Sequence, residues 1–338
     1  MRDLLPPAPT RTRRALIAGT GCCVPEAVRD NASVAGCVDT SDQWIVERTG
    51  IHERRVAPPE VRTSDLAIGA ARAALEAAGL TAADLDLILV ATVTPDRLLP
   101  AVGPLVQHAL GARCPAYDLA AACAGFVYGL ESARAHIESG LSRHVLLIGV
   151  DLLTRWVDWT DRDTCVLFGD GAGAVVLSAV DAAEGRGLHR TLLGADGSEA
   201  ELLRIEAGGT SLPASSETLA DRAHFIRMEG RALFRQAVTH LVEVIGQVLA
   251  ASEWAPADLD LVVPHQANQR ILDAVAERVG VSRERIFANL HAYGNTSAAS
   301  IPIALDEAVK AGRLRPGDKV LFAAFGAGLV WGAATHVW

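Results

Sequence analysis

The feature that most constrains how this chain can fold is that it states one pattern twice. GLTAADLDLILVATVTP, from Gly79, matches EWAPADLDLVVPHQAN, from Glu253; each closes a helix, turns through DLDL into an apolar run and leaves it with polar residues. HVLLIGV at His144 answers KVLFAAF at Lys319, and FGDGAGAVVLSAV at Phe168 answers FGAGLVWGAATHV at Phe325, all in the same order. Two copies of one βα module are the economical reading. Single cores stop growing at roughly 250–300 residues, so a chain of 338 residues has room for such a doubling. The seam is expected at Asp181–Gly187. This gives an N-terminal extension over 1–13, a first half over 14–180 and a second half over 188–338. The polar stretch from Leu203, LRIEAGGTSLPASSETLADR, reads as a surface excursion within the second copy. Neither half can cover its sheet alone, so the two should pack as one layered body.

Within the copies, β-branched runs (RALIAG from Arg14, LDLILVA from Leu85, HVLLIGV from His144) alternate with alanine-rich helical runs, the pattern of an α/β protein. SDLAIGAARAALEAAG reads as a helix with Ser64 as N-cap and Gly79 as its stop, with Ile68, Ala71, Leu75 and Ala78 on the buried stripe. Charge excludes one class of partner: 31 Lys and Arg against 40 Asp and Glu leave a net charge of -9, the opposite of a nucleic-acid footprint. Six cysteines without CxxC pairs or zinc-like spacing imply a reducing cytoplasm and no metal. Arginines precede an apolar run near the start, but Asp3, Gly19, Gly21 and Pro25 spoil a signal peptide, and no stretch approaches the ~20 apolar residues of a membrane span.

Three motifs could carry chemistry. Cys123, in YDLAAACAGFVYGLESARAHIESG, follows a strand-like stretch and opens a long apolar helix, with Ala122, Ala124 and Gly125 removing bulk around it. A thiol at a helix N-terminus is expected to have a lowered pKa and thiolate character; the competing reading is one more buried core cysteine. His265 follows the strand DLDLVV, at a strand's carboxyl end where open α/β sheets place their sites, although nine other histidines dilute that signal. Asn295, in HAYGNTSAAS, lies in the second copy roughly where Cys123 lies in the first; a turn or cap beside Gly294 is its structural alternative. FGDGAGA is followed by strand-like AVVLS where a dinucleotide fingerprint needs a helix, so NAD binding is rejected. FGAG, from Phe325, offers closely spaced N–H groups that suit an oxyanion or a simple turn.

Taken together, AAACAGF around Cys123, VPHQAN around His265 and GNTSAAS around Asn295 resemble the three signatures of the β-ketoacyl-acyl carrier protein synthase III family, the initiating condensing enzymes of type II fatty acid synthesis, in the thiolase fold. TSDQWIVERTGI from Thr40, FGDGAGA and FGAG also match, so the resemblance runs from about Arg14 to the C-terminus. It implies a homodimer of doubled halves in five layers, α-β-α-β-α, with no metal or redox cofactor. Cys123 would take an acyl group from acyl-CoA, with the oxyanion held by the N–H groups of Cys123 and Ala327. His265 and Asn295 would hold the carbonyl of malonyl-acyl carrier protein as it loses carbon dioxide. By the same resemblance Trp44, Arg48, Arg162 and Asn268 would bind CoA. Arg235, Arg270 and Arg278 would dock acyl carrier protein, although Glu277 stands where well-known relatives have lysine. Leu98 and Leu99 would line the acyl pocket in place of a partner-supplied phenylalanine. Two other chemistries stay open: transfer of the acyl group to a hydroxyl or amine without decarboxylation, and an unrelated cysteine hydrolase.

Overall fold

The computed structural model describes residues 12–338; residues 1–11 of the expected N-terminal extension lie outside the described residues. The first half builds a sheet from β1 (Arg13–Cys23), β2 (Leu87–Ala91), β3 (Ala116–Leu119), β4 (His144–Leu152) and β5 (Asp170–Asp181), in the order β1-β5-β4-β2-β3. The second half repeats it with β6 (Gly187–Ala195), β7 (Leu261–Pro264), β8 (Lys319–Gly326) and β9 (Val330–Val337), in the order β7-β8-β9-β6. In both sheets the strand after DLDL pairs in parallel with the next apolar run, which then pairs antiparallel with the glycine-rich one. The counterpart of β3 has shrunk to a bridge between Val262 and Ile286.

The repeat extends to individual hydrogen bonds. Asp86 accepts from the N–H groups of Arg143 and His144 at 2.6 and 2.9 Å, and Asp260, its equivalent, accepts from that of Lys319 at 2.8 Å. The carboxylates of Asp84 and Asp258 each take a backbone N–H three residues upstream, on Thr81 and Ala255. The DLDL string therefore recurs because its aspartates tie the entry of each central strand.

Side chains alternate along every central strand, so each sheet has two apolar faces and needs cover on both. On the first sheet Leu87, Leu89, Val145 and Leu147 face inward, while Ile88, Val90, Leu146 and Ile148 face out. The outward set is covered by α1 (Thr63–Ala78) and α2 (Val102–Leu110). The inward sets of both sheets close on α3 (Gly125–Glu138) and on a later helix of the second half, Ser300–Lys310, through Phe126, Leu130, Ile137, Ile301, Leu305 and Phe322. Phe126 and Phe322 meet edge-on at 6.5 Å, and truncating either to alanine would cost about 3–5 kcal/mol. Outside the second sheet lie α4 (Gly230–Ser252) and α5 (Gln269–Val279), which makes Ser300–Lys310 the helix α6. The layers are α-β-α-β-α, the thiolase fold. No helix among the described residues is long and apolar enough to cross a membrane.

One local expectation is corrected. Helix α1 begins one residue before Ser64 and is capped at Arg62, whose N–H reaches the Asp65 carboxylate at 2.8 Å. Ser64 instead gives its N–H and hydroxyl to Asp96, at 2.9 and 2.6 Å, a partner far along the chain that local reading cannot see. The first apolar run forms β1 as the alternation predicts, and Gly21 lies within it, where a Cβ would sit 2.4 Å from the backbone nitrogen of Ala74. Its missing side chain lets α1 lie directly on the strand. The excursion after Leu203 forms a small hairpin, Leu203–Ile205 with Ile226–Met228. It leans back on the first half, where Arg222 donates to the buried Asp158 at 2.7 Å and the Ile226 N–H reaches the Trp156 carbonyl at 2.8 Å.

Candidate active site

Cys123 sits in a single 3-10 turn, Ala122–Ala124, between β3 and α3. Ala122 is left-handed at φ 42°, a strained setting for a residue with a Cβ. The second half repeats the elbow: Ser297 is left-handed at φ 53°, Ser297–Ala299 form the turn, and α6 follows. The matching positions are Ala122 with Ser297, Cys123 with Ala298 and Gly125 with Ser300. The expectation that Asn295 matches Cys123 is thus corrected: the equivalent residue is Ala298, and Asn295 precedes it by three. The two elbows touch, since a Cβ on Gly125 would lie 3.3 Å from that of Ala298.

Segment Asn295–Ser300 ties the site together. The Ser297 side chain stands beside both the Cys123 thiol and the Asp151 carboxyl and lowers the pKa of each. Asn295 uses its Oδ1 to accept the Ser297 N–H at 2.8 Å, which leaves its amide N–H2 as the free donor. Ser300 Oγ lies 2.7 Å from His265 Nδ1. With that hydroxyl donating to Nδ1, the imidazole carries its hydrogen on Nε2. His265 is fixed at the end of β7 by its own N–H to the Ala323 carbonyl at 2.8 Å. From the other side Gly326 closes on Cys123: a Cβ there would lie 2.7 Å from the Cys123 nitrogen, so the hairpin carrying Ala327 rests directly on the elbow.

Burial dominates the electrostatics. Cys123 is 7% exposed, and desolvation pushes its thiol up to about 12; Ser297 pulls it down, and the Asp151 charge pushes it further up. This overturns the expectation of a lowered pKa: the second half wraps the helix terminus so closely that lost solvation outweighs the dipole. The resting sulfur is a thiol. Burial also holds His265 down at about 4, so the ring is neutral near pH 7. Asp151 is fully buried and raised by desolvation, although Val93 N–H, Thr94 Oγ1 and Thr92 Oγ1 donate to it at 2.9, 3.0 and 3.1 Å. Sequence reasoning missed Asp151, Ser297 and Ser300. The available signal was an acidic residue closing the apolar run HVLLIGVD.

The residues expected to bind CoA also converge. Trp44 lies on the short helix Asp42–Thr49, capped by the Ser41 hydroxyl. The guanidinium carbons of Arg48 and Arg162 stand 5.6 and 4.9 Å from the Trp44 ring centre, and Asn268 donates to the Arg48 carbonyl at 3.1 Å. Asn268 is joined to His265 through Gln266 and Ala267, so this cluster continues into the polar end of β7. Arg235 on α4 and Arg270 and Arg278 on α5 are exposed, and Arg270 lies over the Phe234 ring at 5.7 Å. Exposed Arg231, which sequence reasoning omitted, shares helix α4 with Arg235; none of the four makes an ion pair among the described residues. Leu98 and Leu99 project from the loop after β2, 86% and 85% exposed in the single chain.

The family pattern described as 3-oxoacyl-[acyl-carrier-protein] synthase III matches residues 117–197, and that of its C-terminal part matches residues 249–338. The chain is 51% identical over 325 residues to the β-ketoacyl-[acyl-carrier-protein] synthase III of Roseiflexus sp. (strain RS-1), covering 96% of this chain and 98% of that protein. Among solved structures it is similar to 3-oxoacyl-[acyl-carrier-protein] synthase III from Aquifex aeolicus, with a TM-score of 0.89 and 44% identity over 96% of this chain and 100% of that one. It is similar also to the priming β-ketosynthase of a polyketide biosynthetic pathway, with a TM-score of 0.89 and 34% identity over 98% of this chain and 99% of that one. With half its residues shared with such a relative along nearly its whole length, and with the doubled fold in place, the chain belongs to the 3-oxoacyl-[acyl-carrier-protein] synthase III family of condensing enzymes.

Proposed function

We propose that the chain is an acyltransferase that primes chain synthesis at Cys123. The Cys123 sulfur attacks an acyl-CoA thioester; the bond from acyl carbon to CoA sulfur breaks, the bond to Cys123 forms, and the thiol proton ends on the CoA sulfur. The N–H groups of Cys123 and Ala327 hold the oxyanion of the tetrahedral intermediate. Malonyl-acyl carrier protein then loses carbon dioxide. Its enolate oxygen is held by His265 Nε2–H and the Asn295 amide, and its carbon attacks the acyl-Cys123 carbonyl. The β-ketoacyl-acyl carrier protein departs and Cys123 leaves as a thiolate that takes up one proton. The observation that carries this reading is the single segment, Asn295–Ser300, that packs against the Cys123 elbow, fixes the Asn295 side chain and meets His265 Nδ1 through Ser300. A free amide donor beside a neutral imidazole suits an enolate and has no use in simple acyl transfer to an alcohol or amine.

Trp44, Arg48, Arg162 and Asn268 are proposed to take the CoA nucleotide and pantetheine. Arg235, Arg270 and Arg278, joined by Arg231, are proposed to dock the acidic carrier protein as a local basic face on a chain of net charge -9. The two halves over 14–180 and 188–338 would work as one unit, in a homodimer that buries the exposed Leu98 and Leu99 against a partner, and six free cysteines suit a cytoplasmic setting. No cofactor is required by these steps. The test is intact-protein mass spectrometry after incubation with acyl-CoA: wild type gains one acyl mass and Cys123→Ala gains none. An acylated Ala variant places the nucleophile elsewhere.

Leu99 is proposed as a permissive gate of the primer pocket. Each further buried methylene would add about 0.8 kcal/mol, roughly fourfold in affinity, while unstrained space lasts. Butyryl- or isobutyryl-CoA should therefore acylate Cys123 at least as fast as acetyl-CoA. A sharp preference for acetyl-CoA, unchanged in Leu99→Ala, would remove Leu99 from that role.

A further inference from the structure

The hairpin after Gly326 must hold the Ala327 N–H at a fixed height over Cys123, and its loop is the short Ala327-Gly328-Leu329, with Gly328 at φ 141°. Its inner side rests on the elbow. Its outer side rests on rings. Phe325 and Trp331 face each other across the base of the hairpin, on β8 and β9. Both belong to the outer apolar layer rather than the face toward Cys123. His240, on α4, lies parallel to both, 3.8 Å from the Trp331 ring centre at 17° and 6.1 Å from that of Phe325 at 12°.

The Trp331 indole is confined further. It lies on Gly194 of β6, where a Cβ would approach its ring atoms to 2.4 Å. The Gly194 carbonyl accepts the Tyr128 hydroxyl at 2.8 Å, and Tyr128 stands on α3, the nucleophile helix. Asp196 and Leu329 exchange both backbone hydrogen bonds, at 2.8 and 2.7 Å, and so tie the tip of the loop to the same strand. His240 Nδ1 is buried with no hydrogen-bond partner among the described residues. The ring therefore serves here through its flat face.

We propose that His240 is a positioning residue for the oxyanion turn: stacked on Trp331, it sets the height of the hairpin and with it the Ala327 N–H over the Cys123 sulfur. This rests on the reading that Ala327 supplies an oxyanion donor. A displaced donor forfeits part of the roughly 10²–10³-fold that removing one costs.

The test compares wild type with His240→Leu, which keeps bulk without a ring face, and His240→Phe, which keeps the face. Two quantities are read: the rate of Cys123 acylation by acetyl-CoA, and the infrared frequency of a 13C-labelled acetyl carbonyl on Cys123. In wild type the carbonyl band should lie below that of a free thioester. His240→Leu should acylate about tenfold more slowly, with its band shifted back toward the free value, and His240→Phe should match wild type in both. Trp331→Leu, which removes the other ring face of the stack, supplies a second arm with the same expectation as His240→Leu should that variant melt early. Wild-type rate and band in the Leu variant would overturn the proposal, as would equal losses in the Leu and Phe variants. A wild-type band no lower than the free thioester would instead overturn the oxyanion assignment of Ala327, and the proposal with it.

Discussion

Cys123 and Ala298 occupy the same place in two copies of one elbow, each opened by a left-handed residue, Ala122 or Ser297, and each followed by a helix buried between the sheets. One copy kept a sulfur and the other a methyl. On the reading proposed above the duplication divides labour: the first elbow would form the covalent bond, and the second, with a methyl at that position, carries Asn295 ahead of the turn, Ser297 within it and Ser300 behind it. Because the elbows meet at Gly125 and Ala298, a bulkier group could not stand on both.

The largest effect should come from breaking the donor half. Asn295→Ala or His265→Ala should slow condensation with malonyl-acyl carrier protein by about 10²–10³-fold while leaving acylation of Cys123 within a few-fold. Separate measurement of the two half-reactions decides it, and equal losses in both would abolish the division between the elbows.

The neutral imidazole gives a second test. His265 and His336 are fully buried and held down at about 4 and about 3, against an ordinary value of 6.5. Both stay neutral when folded, so their contribution is complete above pH 6.5. It is lost as the pH falls below that value, because the unfolded chain takes up protons first. The urea midpoint should fall between pH 7 and pH 5 by an amount equivalent to roughly 4 kcal/mol, about 2 kcal/mol from each ring. Equal midpoints would mean that these rings already carry protons in the folded state.

The smallest effect sharpens the thiol side. Asp151→Asn removes a buried charge that raises the Cys123 pKa, so alkylation of Cys123 by iodoacetamide at pH 8 should quicken a few-fold, the kinetic equivalent of about 1 kcal/mol or less. A slower reaction would show that Asp151 acts through Ser297 rather than through its charge.

The fold was legible in the sequence, and the three residues proposed for the site stood out in it, for a common reason: both are written in local strings. DLDL recurs because its aspartates tie strand entries, and Cys123, His265 and Asn295 stand in short motifs at the ends of strands or the starts of turns. What escaped notice depends on distant partners. Ser64 looks like a cap until Asp96 claims it, and Asp151 looks like a loop charge until three donors from the neighbouring strand end enclose it. The Cys123 pKa reversed for the same cause, since a helix terminus is visible in its own sequence but the walls that dry it come from the other half.

The contact of Gly326 with Cys123 also has a bearing on how the chain is born. A ribosome adds roughly 5–20 residues per second, so the cysteine emerges well before the hairpin that will roof it. On the reading proposed above, through that interval it would be an ordinary thiol, without the hairpin that carries Ala327, without Ser297 and without His265. A nascent or truncated first half can therefore bury part of its own sheet and still have no catalyst. Completion of the chain would then work as a safety catch, with acyl groups committed to the cysteine only once the second copy has been delivered to receive them.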